Sequence, residues 1–387
     1  MGHAKTVLGN FALSGQTNRE GYPAFKRDWK EQYLQMLLTN SMSDTFYTSG
    51  RELCKEALEI HRFAADEDPV FMAKALAFAR NEGFMRLQPI VGLAVLSLCS
   101  PTQFSQAFPH VVRIVPDLVE FSLALESLER GQGGRAVKRA ATQFLNTLDE
   151  YAAMKYGGKG RGFALRDLVR VYHPKPKDEK SADLFRYINK KLVWDDSAKA
   201  RMPQLDAYEQ LKRINHNDTA KAVELISAGR LPDNVVTGIV NSSGADVWQA
   251  LLPDMPMFSL LRHLVTLVRR GVLSSEFNEF VAARLTDAGA IKRAKILPFR
   301  FVQAWRQLNA LREPDMASGE EWWLLKVLEK AVEASVETMP DLPGRTAVML
   351  DISGSMQGRF LDAGSVLALS LLKKTGGRGR FMLFDTE

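Results

Sequence analysis

From about residue 25 to residue 336 apolar positions recur at helical spacing. Ser49 stands three residues ahead of Glu52, the spacing of a capping box, and Leu53, Ala57, Ile60 and Ala64 then fall on one helix face. Further helical patterns cover residues 70–79, 90–98, 118–128, 136–151, 220–226 and 257–268. Ser318 and Glu321 form a second capping-box pair, after which Trp322, Leu325 and Val332 share a face. Pro69, Pro89, Pro101, Gly229, Pro253, Gly271 and the glycines between 131 and 134 punctuate these segments. No stretch alternates at period two for long enough to predict a strand. Many amphipathic helices joined by short polar turns predict antiparallel helix pairs stacked side by side, a HEAT-like α-solenoid, although no exact internal repeat is present.

The pattern changes near Pro340. Residues 339–345 read as a linker carrying Pro340, Pro343 and Gly344. Residues 346–350 are a short apolar run bounded by Asp351 and Gly354, as expected of a buried parallel strand. Residues 361–374 predict a helix with Val366, Leu369 and Leu372 among its apolar positions, and residues 380–384 a second strand. Strand, helix, strand is a βαβ unit, which belongs to a parallel sheet. The expected fold is therefore mainly α, with a helical domain over residues 1–339 and the first βαβ of an α/β domain over 345–387. Two strands do not complete such a sheet, so the second domain is expected to be incomplete, the chain being either C-terminally truncated or completed by another chain.

Composition narrows the class. The 387 residues are 46% hydrophobic and 25% charged, as in a soluble globular protein. No apolar run approaches the roughly 18 to 20 residues that span a bilayer, and residues 1–10 lack a leader pattern. A cytoplasmic, monomeric protein without a membrane partner is the expectation. Cys54 and Cys99, the only cysteines, exclude a disulfide framework or a cysteine-based zinc finger and are expected to be buried reduced thiols.

The net charge of +6 is moderate, but its distribution is uneven. Residues 155–191 hold eleven Lys and Arg against four acids (Asp167, Asp178, Glu179, Asp183), a local surplus of seven positive charges. Lys292, Arg293, Lys295, Arg300 and Arg306 form a second stretch without an intervening acid, and Arg135, Lys138 and Arg139 a third cluster. Clustered basic surface of this kind is the footprint of a phosphate-binding protein.

Two segments carry candidate chemistry. Asp351, Ser353 and Ser355 follow the first predicted strand, where open α/β sheets place their ligands. One carboxylate and two hydroxyls at alternate positions can turn three hard oxygens toward one point and leave positions for water, which suits Mg²⁺. The other reading is a Ser-rich turn capping the next helix. The pattern resembles the metal-ion-dependent adhesion site of von Willebrand A domains. That resemblance implies a divalent cation completed by a Thr and an Asp from later loops, expected beyond residue 387.

The second segment, residues 155–177, mixes glycines, cations and aromatics. Glycines let backbone amides approach phosphates, Lys and Arg neutralise them, and Tyr or Phe stacks on bases. Arg166, Arg170 and His173 follow at spacings of four and three, one helix face, with Asp167 as an expected partner for Arg170. Lys175 and Lys177 extend the cationic surface into a proline-fixed loop. The alternative is a solvated charged helix beside a flexible glycine loop. No Lys-Ser/Thr follows the glycines at Walker A spacing.

The string MKYGGKGRGFALRDLVRVYHPKP in this segment resembles the signature of the TROVE module of Ro, telomerase-associated and vault-associated proteins. DTFYTSGREL at 44–53, MPMFSLLRHLVTLVRRGVL at 255–273 and ILPFRFVQAW at 296–305 resemble the same family in order. A TROVE module followed by a von Willebrand A module is the Ro arrangement. The resemblance implies a ring of HEAT-like repeats closed by the von Willebrand A module. Small Y RNAs would bind its basic outer face, 3′ ends of misfolded RNA would enter its hole, and an exoribonuclease of the polynucleotide phosphorylase type is an implied partner. Carried onto this chain, the RNA-contacting residues are Lys155, Arg161, Arg166, Arg170, His173 and Lys175, followed by Arg262, His263, Lys292, Arg293 and Lys295. The glycine loop 157–162 is richer in Gly than the family pattern, which leaves the alignment of Arg161 open.

A helical protein-binding scaffold that uses the von Willebrand A metal loop is the competing reading. Catalysis is not expected: the six histidines are scattered, and no H-E-x-x-H pair, G-x-S-x-G elbow or paired-carboxylate signature is present.

Overall fold

The computed structural model describes residues 16–17, 23–24, 28–44, 49–131, 133–157, 163–215, 218–240, 244–273, 275–310 and 319–385. The chain divides into two compact units, Met1–Leu192 and Val193–Glu387.

The first unit begins with a short antiparallel pair, β1 (Gln16–Thr17) and β2 (Pro23–Ala24), which the absence of period-two alternation did not predict. Two residues per strand are too few to leave a periodic signal. Helices follow: α1 (Trp29–Thr39), α2 (Gly50–Glu67), α3 (Pro69–Asn81), α4 (Leu87–Cys99) and α5 (Pro101–Val111). Then come α6 (Val115–Ser127), α7 (Gly134–Leu145), α8 (Glu150–Tyr156), α9 (Leu165–Tyr172) and α10 (Glu179–Ile188). The Ser49–Glu52 capping box forms at the start of α2, with each residue's side chain accepting from the other's backbone N–H. The second capping box, at Ser318 and Glu321, lies outside the described side chains.

These helices pack on their second neighbours. α1 packs on α3, α2 on α4, α3 on α5, α4 on α6, α5 on α7, α6 on α8 and α8 on α10. Odd and even helices thus form two layers, the arrangement of a helical solenoid. The core between them holds Leu76, Leu93, Phe104, Phe121 and Tyr172. It also holds the buried polar side chains of His61 and Asp117, both hydrogen-bonded. His61 lies between Tyr33 Oη and Gln88 Oε1, each 3.0 Å from a ring nitrogen. Buried Asp117 accepts from Arg80 and Arg86, both at 2.9 Å, and from the backbone N–H groups of Arg113 and Ile114. Its fixed position closes the chain between α5 and α6.

The helix read as continuous over 136–151 is two helices. Asn146 ends α7, and Asp149 starts α8 by accepting from Ala152 N–H at 2.7 Å. The cysteines are free but not buried, a second departure: Cys54 is half-buried and Cys99, the last residue of α4, is exposed.

The second unit continues with α11 (Asp196–Arg201), α12 (Pro203–Leu211), α13 (Thr219–Gly229), α14 (Asp233–Val236) and α15 (Ala245–Leu251). A 3₁₀ turn over Leu252–Asp254 leads to α16 (Met257–Arg269), α17 (Ser275–Thr286), α18 (Ala288–Ala294), α19 (Pro298–Asn309) and α20 (Gly319–Glu337). In α20 the buried face is Leu324, Leu325, Leu328, Ala331 and Ser335. Trp322, read as sharing the face of Leu325, is instead 53% exposed, with the Lys326 ammonium 4.9 Å from its ring.

The chain then forms β3 (Thr346–Asp351), α21 (Arg359–Lys374) and β4 (Gly379–Phe384). The strands pair in parallel with Thr346 opposite Gly379 and Asp351 opposite Phe384, so the βαβ unit is present as read. Its strands are covered on one face only. Val348 and Leu350 pack on Ala368, Leu361 and Leu371 of α21, whereas Met349 between them is more than half exposed. Alternation along the strand turns every second side chain away from the single helix. Leu369 of α21 is likewise exposed. α21 also packs on α19, where Arg306 pairs with Asp362. Among the described residues no helix is long and apolar enough to cross a membrane.

Candidate nucleic-acid interface

The basic segment of the first unit spans α8, α9 and α10. α9 is only eight residues long, and its ends explain its geometry. Asp167 accepts from Ala164 N–H at 2.8 Å and so caps the N-terminus; among the described residues it makes no ion pair with Arg170, contrary to the sequence expectation. Its carboxylate is drawn to the helix start, where unsatisfied N–H groups point at it. At the other end His173 takes a left-handed conformation (φ 44°) and donates its N–H to Val169 O. Pro174 cannot continue the helix.

The consequence is that Arg166, Arg170 and His173 do not form one continuous helix face. Arg170 and His173 are exposed, but Arg166 is half-buried, with Nη2 3.4 Å from Asn189 O and a buried Nε that has no partner. The loop after His173 brings Lys175 and Lys177 out into solvent. Asn146, at the end of α7, fixes that loop from below. Its Nδ2 donates to Lys175 O at 2.9 Å and its Oδ1 accepts from Lys177 N–H at 2.9 Å. Sequence spacing gave no hint of Asn146, because its partners lie about thirty residues away.

Three of the segment's four acids do little to neutralise this surface; the fourth, Glu179, is exposed. Asp167 is a cap, and Asp178 caps α10 by accepting from Ser181 N–H, a bond that holds its carboxyl below the usual range. Buried Asp183 pairs with Arg186, and buried Glu150 with Lys180. Among the described residues the side chains of Arg170, His173 and Lys175 have no acidic partner. Lys155 is half-buried, its ammonium 5.3 Å from the Tyr151 ring and 5.7 Å from the Tyr156 ring, a cation–π setting. Arg161 and the glycines around it lie outside the described residues.

In the second unit Arg262 is exposed on α16, but its neighbour His263 is occupied. His263 Nε2 stands 3.5 Å from buried Asp233 and its ring 5.0 Å from the Trp248 ring; Ser259 also donates to Asp233. Burial pushes the Asp233 carboxyl up, but the bonds from His263 and Ser259 bring it below its ordinary value. Lys292 and Arg293 are exposed at the end of α18, Arg293 4.0 Å from Asp287, and Lys295 caps the helix in a left-handed conformation.

In the loop after β3, Asp351 Oδ1 accepts from Ser353 N–H at 2.9 Å, and the Ser353 and Ser355 hydroxyls are 3.2 Å apart. The first of these bonds holds the Asp351 carboxyl below its ordinary range. Adjacent ligands of an octahedral Mg²⁺ with bonds of about 2.1 Å stand about 3 Å apart, so the hydroxyl spacing matches one edge of such a shell. The donor set fits a hard dication in chemistry as well, although the described residues contain no cluster of three or more His, Cys, Asp or Glu.

Residues 239–342 match the TROVE domain. The chain is similar to the RNA-binding protein RO60 of Deinococcus radiodurans, with 28% identity over 81% of this chain and 60% of the relative. It is also similar to the RNA-binding protein RO60 of Caenorhabditis elegans, 26% identical over 65% of this chain and 48% of the relative. Telomerase protein component 1 of Rattus norvegicus is 24% identical over 70% of this chain and 12% of that protein. The chain thus spans 60% or less of the length of these curated relatives. In fold it is similar to the crystal structure of Deinococcus radiodurans RO (RSR) protein, with a TM-score of 0.70 at 20% identity, covering 92% of this chain and 75% of that one.

Proposed function

We propose that this chain binds RNA through the basic surface formed by α9, the loop after it and the end of α7. The observation that carries this reading is the trio Arg170, His173 and Lys175, exposed at the end of α9 and in the loop after it without acidic partners, while Asp167 and Asp178 serve as caps and Asp183 pairs with Arg186. Two cations supply phosphate contacts, and the imidazole supplies a hydrogen-bonding group for an unstacked base. Lys155 with Tyr151 and Tyr156 adds an edge where aromatic rings and a cation meet.

In this proposal small structured RNA of the Y type is one ligand class and the 3′ ends of misfolded RNA are another, in RNA quality control inside the cytoplasm. A degradative exoribonuclease fits this role as a partner. Arg262 with the end of α18 (Lys292, Arg293, Lys295) is the second candidate surface. In the same proposal Asp351, Ser353 and Ser355 hold Mg²⁺ in the manner of a von Willebrand A adhesion site, with waters or other groups filling the shell.

The test is a fluorescence-anisotropy titration of a labelled stem-loop RNA against the chain and its R170A/K175A variant across a salt series. The affinity of the variant is expected to fall about ten-fold at moderate salt, with a shallower salt dependence. Equal affinity and equal slope for both proteins would sink the proposal.

A further inference from the structure

The third basic cluster, at the start of α7, lies at a cleft. A cavity of about 690 Å³ opens between the beginning of α5 and the turn that leads into α7. Arg130, Arg135 and Arg139 line it from one side, and Thr102, Ser105 and Gln106 from the other, with no acid in the lining. All three guanidinium groups are exposed, and among the described residues none has an ion pair or a side-chain hydrogen bond. The cluster is therefore uncompensated, unlike Arg80 and Arg86 nearby, which share Asp117.

The turn into α7 contributes Gly133 and Gly134 to the cleft wall. Gly133 and Gly134 both have positive φ (75° and 82°), and a Cβ at Gly133 would meet Val137 at 2.6 Å. The turn is thereby pressed against the first turn of α7, which carries neither an acid nor a side-chain cap. Three cations lining a concave site, with the Thr102 hydroxyl and the Gln106 amide opposite and the Ser105 hydroxyl donating to Pro101 O, suit a phosphate-bearing ligand.

Its place on α7 indicates which one. Arg135, Arg139 and Asn146 lie within about 40° of one another around the helix, on one stripe. Asn146 is the residue that holds Lys175 and Lys177. A helix of 12 residues is about 18 Å long, so the cleft and the Lys175 loop stand at the two ends of one short helix. A chain of regularly spaced phosphates can occupy both; an isolated phosphate cannot.

We infer that the cleft lined by Arg130, Arg135 and Arg139 is a second phosphate site for the same RNA strand, one helix length from the Lys175 loop. This inference rests on the RNA-binding reading above and adds a contact that the sequence resemblance does not assign.

The test compares wild type, R135Q/R139Q and R170A/K175A in binding to a labelled single-stranded RNA and, separately, to inorganic tripolyphosphate by calorimetry, with thermal melts confirming that each variant is folded. R135Q/R139Q is expected to lose about ten-fold in RNA affinity and to lower the salt slope by about 0.7 for each phosphate contact removed. Tripolyphosphate binding is expected to be lost in R135Q/R139Q and kept in R170A/K175A. If RNA binding is weakened by R170A/K175A but untouched by R135Q/R139Q, the cleft is not an RNA site while the interface reading stands. If wild type binds no RNA, both fall, even should tripolyphosphate still bind.

Discussion

Asn146 Nδ2 donates to the carbonyl oxygen of Lys175 across 2.9 Å, tying the end of α7 to the loop that carries two exposed lysines. The same side chain accepts from Lys177 N–H, so one amide sets the backbone on both sides of Pro176. Replacing Asn146 by Ala removes both bonds. The expected cost in stability is about 1 to 2 kcal/mol, and RNA affinity should fall because Lys175 is no longer held. Anisotropy titration beside a urea melt checks this: lost stability with unaltered binding would mean that the loop does not contact RNA.

His173 offers a separation of fold from function. Its left-handed backbone disfavours any residue with a Cβ, and glycine takes that conformation without strain. His173→Gly is therefore expected to hold or raise stability, by up to about 1 kcal/mol, while removing the imidazole. Weaker RNA binding in a protein at least as stable as wild type is the expected outcome.

His61 makes stability depend on pH. Burial lowers its pKa from 6.5 to about 4, against the opposing pull of the Gln88 acceptor. Between those values the unfolded chain binds a proton that the folded chain excludes, so stability falls as pH drops from 6.5 toward 4 and is unaffected by this group at higher pH. The loss by pH 5 is about 2 kcal/mol. Urea unfolding at pH 7 and pH 5 should show that difference in wild type and a smaller one in H61L.

Asp117 is the strongest single test of the first unit's core. It is fully buried and gathers two guanidinium groups and two backbone N–H groups. Asp117→Ala leaves Arg80, which is largely shielded from solvent, without its carboxylate and is expected to cost about 3 to 5 kcal/mol. A melting temperature within a degree of wild type would show that the carboxylate does not hold α5 and α6 together.

Periodicity made the helices legible because an amphipathic helix writes its buried face every three to four residues, as Ala57 and Ala64 do on α2. It failed where a feature is short or partnered at a distance. The two-residue strands Gln16–Thr17 and Pro23–Ala24 leave no period, and the Asn146 side chain bonds backbone groups of Lys175 and Lys177 about thirty residues away. Exposure was the weakest inference. Trp322, placed on the face of Leu325, and Leu369, among the apolar positions of its helix, both face solvent, since which side of a helix is covered depends on what packs there.

The sequence by itself determined the mainly helical class, the strand–helix–strand at residues 346–384 and the concentration of positive charge between 155 and 191, because period and composition are local properties. Only the tertiary structure decided which of those charges remain available. Arg166, Lys180 and Arg186 turn to Asn189 O, Glu150 and Asp183, while Arg170, His173 and Lys175 do not, and Arg135 and Arg139 line one cleft with Arg130. A charge is neutralised by what lies within a few ångströms of it in space, and the chain order does not state those distances.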